Sequence, residues 1–495
     1  MDGQIVRKVV IAGGGTAGWL AAAALVKQLG GLLDITLVES DEIGTIGVGE
    51  STIPTVRAFH SLLGIDEQEF MRATQSSFKL GIAFENWGRI GDRYLHSFGV
   101  LGKSTWMADF HHFWLQARAE GFAGDIGDYC FELQAAEASR FATGDNSQIN
   151  YAYHLDATLY ARFLRARSEA DGVKRVEGKI ASVKQDSETG FIQSLVLESG
   201  QTISGDLFID CTGFRALLIE RTLETGYEDW GDWLATDSAY AVQTESAGPA
   251  VPYTRAIAHE AGWRWQIPLQ HRIGNGLVFS SKHMTDDAAK AQLLDQIEGE
   301  PLFDPRLIRY RTGTRRKVWN RNCVALGLAS GFIEPLESTS IHLIMIAVTR
   351  LMQYFPFNGF DAALIDRYNQ LSRTELEGVR DFVVLHYFLT ERDDSAFWQR
   401  CRTMDIPDSL ARRIALFREN ARAYQASDEL FRVDSWVQVM LGQGIRPNGY
   451  HHVARLMPPG QLRQALGDLK AGIADAVTRM PSHQDFLQRH CRAPA

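Results

Sequence analysis

Ile5-Val6-Arg7-Lys8-Val9-Val10-Ile11-Ala12-Gly13-Gly14-Gly15-Thr16-Ala17-Gly18-Trp19-Leu20-Ala21-Ala22-Ala23-Ala24-Leu25 decides the fold. Ile5 to Ala12 is a continuous run rich in β-branched residues, the pattern of a strand buried on both faces in a parallel sheet. Thr16 to Leu29 is rich in alanine and leucine and predicts a helix. Asp34 to Glu39 (Asp-Ile-Thr-Leu-Val-Glu) predicts the next strand. Strand, helix and strand make a βαβ unit, and Gly13 to Gly18 satisfies GxGxxG at its first turn. Gly13 permits the tight turn, Gly15 lets the backbone approach a pyrophosphate, and Gly18 lets the helix pack closely on the sheet. The first-turn N–H groups of Thr16 and Ala17 face the phosphates with the positive end of the helix dipole. Glu39 lies 21 residues after Gly18. It is placed to accept hydrogen bonds from a ribose, and its charge disfavours a 2′-phosphate. The motif does not choose between NAD and FAD. No second fingerprint is present, because Gly442 to Gly449 lacks the spacing.

Working outward, Arg175 to Leu197 and Thr202 to Asp210 contain short β-like runs, and Asn322 to Leu326 reads as another buried strand. A helix is expected from about Leu336, and Ile341 to Tyr354 reads as buried core helix. From about Asn358 the pattern is mostly helical. No repeat, low-complexity tract or linker separates these pieces, so interleaved domains are expected. The fold class is α/β and Rossmann-like. Residues 1–357 form a core with interleaved substrate-binding segments, and residues 358–495 form a mostly helical C-terminal region packing on it.

Bulk properties narrow the function. Of the 495 residues, 45% are hydrophobic and 22% charged, ordinary for a globular protein. A net charge of −9 gives no reason to expect a nucleic-acid partner. The five cysteines are scattered with no CxxC pair, so neither a disulfide framework nor a metal site is expected. No secretory signal or membrane span is read, and the expected location is the cytoplasm. GxSxG, HExxH and P-loop motifs are missing from the sequence, which removes support for hydrolase, zinc-protease and NTPase readings.

Three further motifs bear on the chemistry. Gly47-Val48-Gly49-Glu50-Ser51-Thr52-Ile53-Pro54 follows the glycine turn. Trp263-Arg264-Trp265-Gln266-Ile267-Pro268 matches WxWxIP. Gly327-Leu328-Ala329-Ser330-Gly331-Phe332-Ile333-Glu334-Pro335-Leu336-Glu337-Ser338-Thr339 is the third. With His386-Tyr387 and Arg392 to Trp398, they resemble the flavin-dependent tryptophan halogenases over nearly the whole chain. The resemblance implies an FAD-binding fold of flavin monooxygenase type, with FADH2 supplied by a separate reductase. It implies that halide, bromide or chloride, and O2 are converted to hypohalous acid. That oxidant passes to a lysine beside an aromatic, indole-like substrate, which is halogenated by electrophilic substitution. A homodimer is compatible with this reading.

Phe78-Lys79-Leu80-Gly81-Ile82-Ala83-Phe84 alternates with period two, which places Phe78, Leu80, Ile82 and Phe84 on one strand face and Lys79 on the other. Spacing alone would make Lys79 an exposed residue of an edge strand. The resemblance aligns it with the family's catalytic lysine. It likewise gives Glu337 the tasks of polarising the oxidant and taking the substrate's proton. It puts Ser338 between flavin and lysine, and Gly49, Glu50, Ser51 and Gly327 beside the cofactor. Thr339 and Ser340 are the candidate halide ligands, although the family often has glycine at the position of Ser340. Trp263, Trp265, Ile267 and Pro268 shape the site. His96, Phe98 and Trp436 are the candidate substrate contacts, although His96 alone would read as a structural histidine.

Two other functions compete with halogenation: a flavin monooxygenase, and a non-catalytic flavin-binding protein. Lys79, Glu337 and the WxWxIP match favour the halogenase. Typical tryptophan halogenases grip the amino acid with a C-terminal module of aromatic and acidic residues. The matching stretch, Leu430 to Gly444, is short and has no paired tyrosines followed by a glutamate. Indole or a larger indole-bearing molecule is therefore expected as substrate in preference to free tryptophan.

Overall fold

The computed structural model describes residues 5–42, 49–144 and 149–494. Gly47 and Val48 of the second motif lie outside the described residues. The chain forms two compact units, each drawn from three separate stretches. Residues 1–75, 155–237 and 309–377 make the first, and 76–154, 238–308 and 378–495 the second.

The first unit is built on the expected βαβ. Lys8–Ala12 pairs in parallel with Asp34–Glu39 on one side and Leu207–Asp210 on the other. Lys174–Glu177 and Cys323–Ala325 extend the sheet outward in parallel, and Trp319–Asn320 closes one edge antiparallel. Val9, Val10, Ile11 and Ala12 are fully buried, as the apolar run requires of a central strand. The helix Thr16–Leu29 packs against Ala157–Ala170 and Ser340–Gln353, so its alanines are buried almost without exception. A separate antiparallel sheet of Ile180–Gln185, Ile192–Leu197 and Thr202–Ser204 accounts for the β-like runs after Arg175.

The second unit is built on a seven-stranded sheet. Its order is Arg306–Arg309, Ser238–Glu245, Arg272–Phe279, Gly262–Pro268, Thr254–His259, Gly81–Glu85 and Arg93–Ser97. Five helices of the C-terminal stretch follow, from Ala396–Thr403 to His483–His490.

Two local expectations are corrected. Phe78 to Phe84 is not one strand: Ser77–Lys79 pairs with Ala152–Asp156, whereas Gly81–Glu85 belongs to the seven-stranded sheet. The chain changes sheets at Leu80, whose N–H donates to Pro252 and whose carbonyl accepts from Phe98. Both faces are buried at this transfer, so alternation loses its usual meaning. The α-helix expected from Leu336 starts instead at Ser340. Pro335–Glu337 is a single 3₁₀ turn, and Ser338 takes a left-handed conformation (φ 60°, ψ 34°) that no α-helix continues through. Among the described residues no helix is long and apolar enough to cross a membrane.

Candidate active site

Gly13 and Gly18 of the first turn each have a separate steric reason. Gly13 has φ +106°, and a Cβ there would lie 2.3 Å from the Cys211 carbonyl. A Cβ on Gly18 would lie 1.9 Å from the Gly13 carbonyl, so the helix can seat on the turn only without one. Gly15 differs: among the described residues, a Cβ there would meet nothing within 4 Å. Open space over Gly15, beside first-turn N–H groups that have no intrahelical partner, fits a dinucleotide phosphate group. Glu39 folds back over Gly14. Its carboxylate accepts from Arg175 Nε at 2.6 Å and, more distantly, from Arg165 Nη1 and Trp19 Nε1, both at 3.4 Å.

Asp210, a residue that the motif search missed, organises the adjoining loop. One carboxylate oxygen accepts from the Thr212 N–H and hydroxyl, the other from the N–H groups of Leu218 and Ile219. The signal was present: a buried strand ending in Asp210, with Thr212-Gly213 two residues on, marks a side-chain-closed turn.

Gly327, at φ +60°, brings its loop against two helices. A Cβ there would lie 2.9 Å from the Ala17 side chain and 3.6 Å from Ile344. Glu337 (1% exposed), Ser338 (4%) and Thr339 (1%) are all buried on the turn that follows. Thr339 is the N-cap of Ser340–Gln353, a position where threonine normally caps the helix with its hydroxyl. Here the hydroxyl makes no cap, and among the described residues Thr339 Oγ1 has no hydrogen-bond partner. Burial pushes the Glu50 carboxyl up to about 7, against the opposing pull of the Ser51 N–H.

In the second unit Lys79 is completely buried. Its Nζ stands 5.2 Å from the centre of the Phe98 ring. The backbone link from Phe98 to Leu80 fixes that approach. Two residues before Lys79, Ser77 Oγ is 2.5 Å from the Pro268 carbonyl and 3.0 Å from His154 Nδ1. The single Ser77 proton goes to the carbonyl, so Ser77 accepts from His154 Nδ1–H. His154 Nε2 lies 3.0 Å from the Thr254 hydroxyl. Burial holds the His154 pKa well below its usual value, and the neighbouring Lys79 charge lowers it further. His483 Nε2 accepts from the Phe78 N–H at 3.2 Å, and burial brings its own pKa down to about 4. Ser77, His154, Thr254 and His483 carried no sequence signal, because they are spread over more than 400 residues.

Trp263, Trp265 and Ile267 share a face of Gly262–Pro268 and are buried. Trp265 fits because position 276 is glycine: a Cβ there would lie 2.0 Å from the indole. His96 is buried against Phe382 (ring centres 5.5 Å apart) and Phe431 (6.3 Å). Trp436 joins the same cluster through Phe382 at 4.8 Å, with Arg413 4.4 Å over its ring. At 2% exposure its faces are occupied by protein. His96 and Trp436 are thus brought together in one aromatic cluster, whereas Phe98 lies with Lys79.

The family model described as tryptophan halogenase matches residues 8–459. The structure superposes with a TM-score of 0.98 on a flavin-dependent halogenase from Xanthomonas campestris, 56% identical, covering 99% of this chain and 100% of that one. A flavin-dependent halogenase from Brevundimonas sp. BAL3 gives 0.95 at 43% identity, with 99% of each chain covered. The tryptophan 7-halogenase RebH of Lentzea aerocolonigenes is 35% identical over 534 aligned positions, covering 99% of this chain and 100% of that enzyme. This chain belongs to the tryptophan halogenase family. It is a flavin-dependent halogenase, and the monooxygenase reading is not favoured.

Proposed function

We propose that the chain halogenates indole, or a larger indole-bearing molecule, with Lys79 and Glu337 as its catalytic residues. FADH2, delivered by a separate flavin reductase, supplies together with O2 the oxidising power that converts halide to hypohalous acid. Gly13, Gly15, Thr16, Ala17 and Gly18 would hold the pyrophosphate, and Glu39 the ribose. Gly49, Glu50, Ser51, Gly327 and Ser338 would line the isoalloxazine side. The first-turn N–H groups after Thr339, with its uncommitted hydroxyl, suit a halide. Lys79 Nζ hydrogen-bonds the hypohalous acid and aims its halogen at the ring. Glu337 accepts the proton that the substituted carbon releases. Trp263 and Trp265 shield the path from water.

The observation that carries the reading is the complete burial of Lys79. A buried ammonium costs several kcal/mol in desolvation, so a merely structural lysine would be placed at the surface. Its aromatic neighbour Phe98 offers a face against which a flat substrate can stand.

The substrate preference rests on residues 432–442, several of whose polar side chains already bond the backbone of the second unit. Gln438 pairs with both backbone groups of Ser97, Asp434 accepts from the Leu101 N–H, and Arg432 donates to the Phe98 carbonyl. Gln438 and one Asp434 oxygen are thereby committed to protein partners and not to an amino acid's ammonium and carboxylate. The alignment with RebH spans 534 positions, more than the 495 residues of this chain, so some RebH residues have no counterpart here. Indole should react at its electron-rich C3, and bromide, the more easily oxidised halide, should be preferred. The test is product mass spectrometry with a flavin reductase, bromide or chloride, and indole and tryptophan in competition. Brominated indole as main product is expected. A hydroxylated product would sink the halogenase mechanism, and preferential benzo-ring halogenation of tryptophan would sink the substrate assignment.

A further inference from the structure

The segments that follow two sequence motifs, residues 49–54 and 335–339, are tied together by one buried histidine. His342 is the third residue of Ser340–Gln353 and is 6% exposed. Its Nδ1 lies 2.9 Å from Thr55 Oγ1, the first residue of the helix Thr55–Leu62. Its Nε2 lies 3.1 Å from Glu375 Oε1. Arg350 fixes the other Glu375 oxygen at 2.7 Å and also donates to Ser372 Oγ at 2.9 Å. Burial pushes the Glu375 carboxyl up, but the His342 and Arg350 contacts outweigh it and leave the pKa below its usual value. Glu375 is therefore an ionised acceptor, so His342 Nε2 donates to it, while Nδ1 and the Thr55 hydroxyl share the second hydrogen bond.

The other side of the turn is anchored as well. Glu334 accepts from Thr236 Oγ1 at 3.1 Å, and Thr236 accepts from the Tyr310 hydroxyl at 3.0 Å. Between these anchors sits Ser338, whose left-handed backbone is unfavourable for a non-glycine residue and persists where its surroundings over-determine it. Directly after it comes Thr339, a buried N-cap whose hydroxyl caps nothing. A capping threonine kept out of its cap needs its turn held from outside, and the third helical residue supplies the hold.

We infer that His342 is a positioning residue, which locks the Thr339–Ser340 turn to Thr55 and so sets the affinity for halide without touching it. The inference rests on the reading of Thr339 and Ser340 as halide ligands. Three substitutions separate the contacts. Thr55→Val removes the hydroxyl at an exposed position and keeps the shape. His342→Gln retains a donor toward Glu375 and loses Thr55. His342→Asn does the reverse.

Losing this partly buried hydrogen bond should raise the bromide KM about three- to tenfold in Thr55→Val and His342→Gln, with kcat within about twofold. The double variant should be no worse than either single one. Hydrogen exchange on the chain without flavin gives a second readout. In both variants segments 49–58 and 335–344 should exchange faster together, while the remaining segments are unchanged. An unchanged bromide KM, a fall in kcat alone, or faster exchange throughout the first unit would overturn the inference. Thr339→Val tests the underlying assignment. If it leaves the bromide KM unchanged, the halide reading fails, whereas the exchange coupling still reports on the His342 link by itself.

Discussion

The Gly13–Gly18 turn and the Lys79 pocket are built by opposite means. The turn is local. Its glycines are dictated by atoms a few residues away or on the adjoining strands, and it leaves open space over Gly15. The pocket is assembled from afar. Lys79 is sealed by Phe98, and its neighbouring His154 is held by Ser77 and Thr254, with His483 close by. A site that works through backbone N–H groups needs small residues in strict order, and such order is visible in a sequence. A site that works through one buried side chain needs a shaped environment, to which any element can contribute.

The strongest test of this contrast is Lys79→Ala. Halogenation should fall by about a thousandfold or more while FAD affinity stays within about twofold. Product mass spectrometry and a flavin fluorescence titration would read the two effects. Loss of both together would mean that the two regions are not functionally separable. Glu337→Gln keeps the shape and removes the base, so kcat should drop about a hundredfold. A wild-type rate would make Glu337 a buried residue of the turn and nothing more.

Two glycines sharpen the comparison within the turn. Gly18→Ala forces a contact at 1.9 Å on the Gly13 carbonyl and should destabilise the flavin-free chain by roughly 2–3 kcal/mol. Gly15→Ala meets nothing within 4 Å among the described residues, so its melting temperature should stay unchanged while FAD binding weakens. Equal destabilisation by both changes would show that Gly15 is structural and not a cofactor contact.

The smallest effect is a pH dependence. Glu50 titrates near 7 in the fold because of burial, against 4.5 when unfolded. The folded state therefore binds its proton more tightly, and this contribution to stability is present in full below pH 4.5 and is lost as pH rises through 7. Denaturation of the flavin-free chain should show a loss of about 1–2 kcal/mol over that window, reduced from the full linkage value by partial exposure, and Glu50→Gln should flatten it. A parallel pH profile in the variant would place the titration elsewhere.

Much of the molecule was legible in advance where structure is local. The strands around Ala12 and Glu39 and the helix Thr16–Leu29 fall where hydrophobic run, composition and turn chemistry put them. The departures occur where a tertiary contact overrides the pattern. Phe78 to Phe84 keeps a strict alternation yet passes from one sheet to another at Leu80, because Pro252 and Phe98 take the backbone bonds of that residue. Helical residues surround Ser338, yet its left-handed conformation delays the helix to Ser340.

By itself the sequence determined the family and the cofactor turn, since ordered motifs encode short-range backbone geometry. It also named Lys79 and Glu337 through resemblance. Only the tertiary structure decided that Lys79 is buried, that His154 is neutral beside it, and that His342 joins two turns nearly 300 residues apart. Burial and side-chain pairing depend on which distant segments share a core, and no spacing within one segment encodes that.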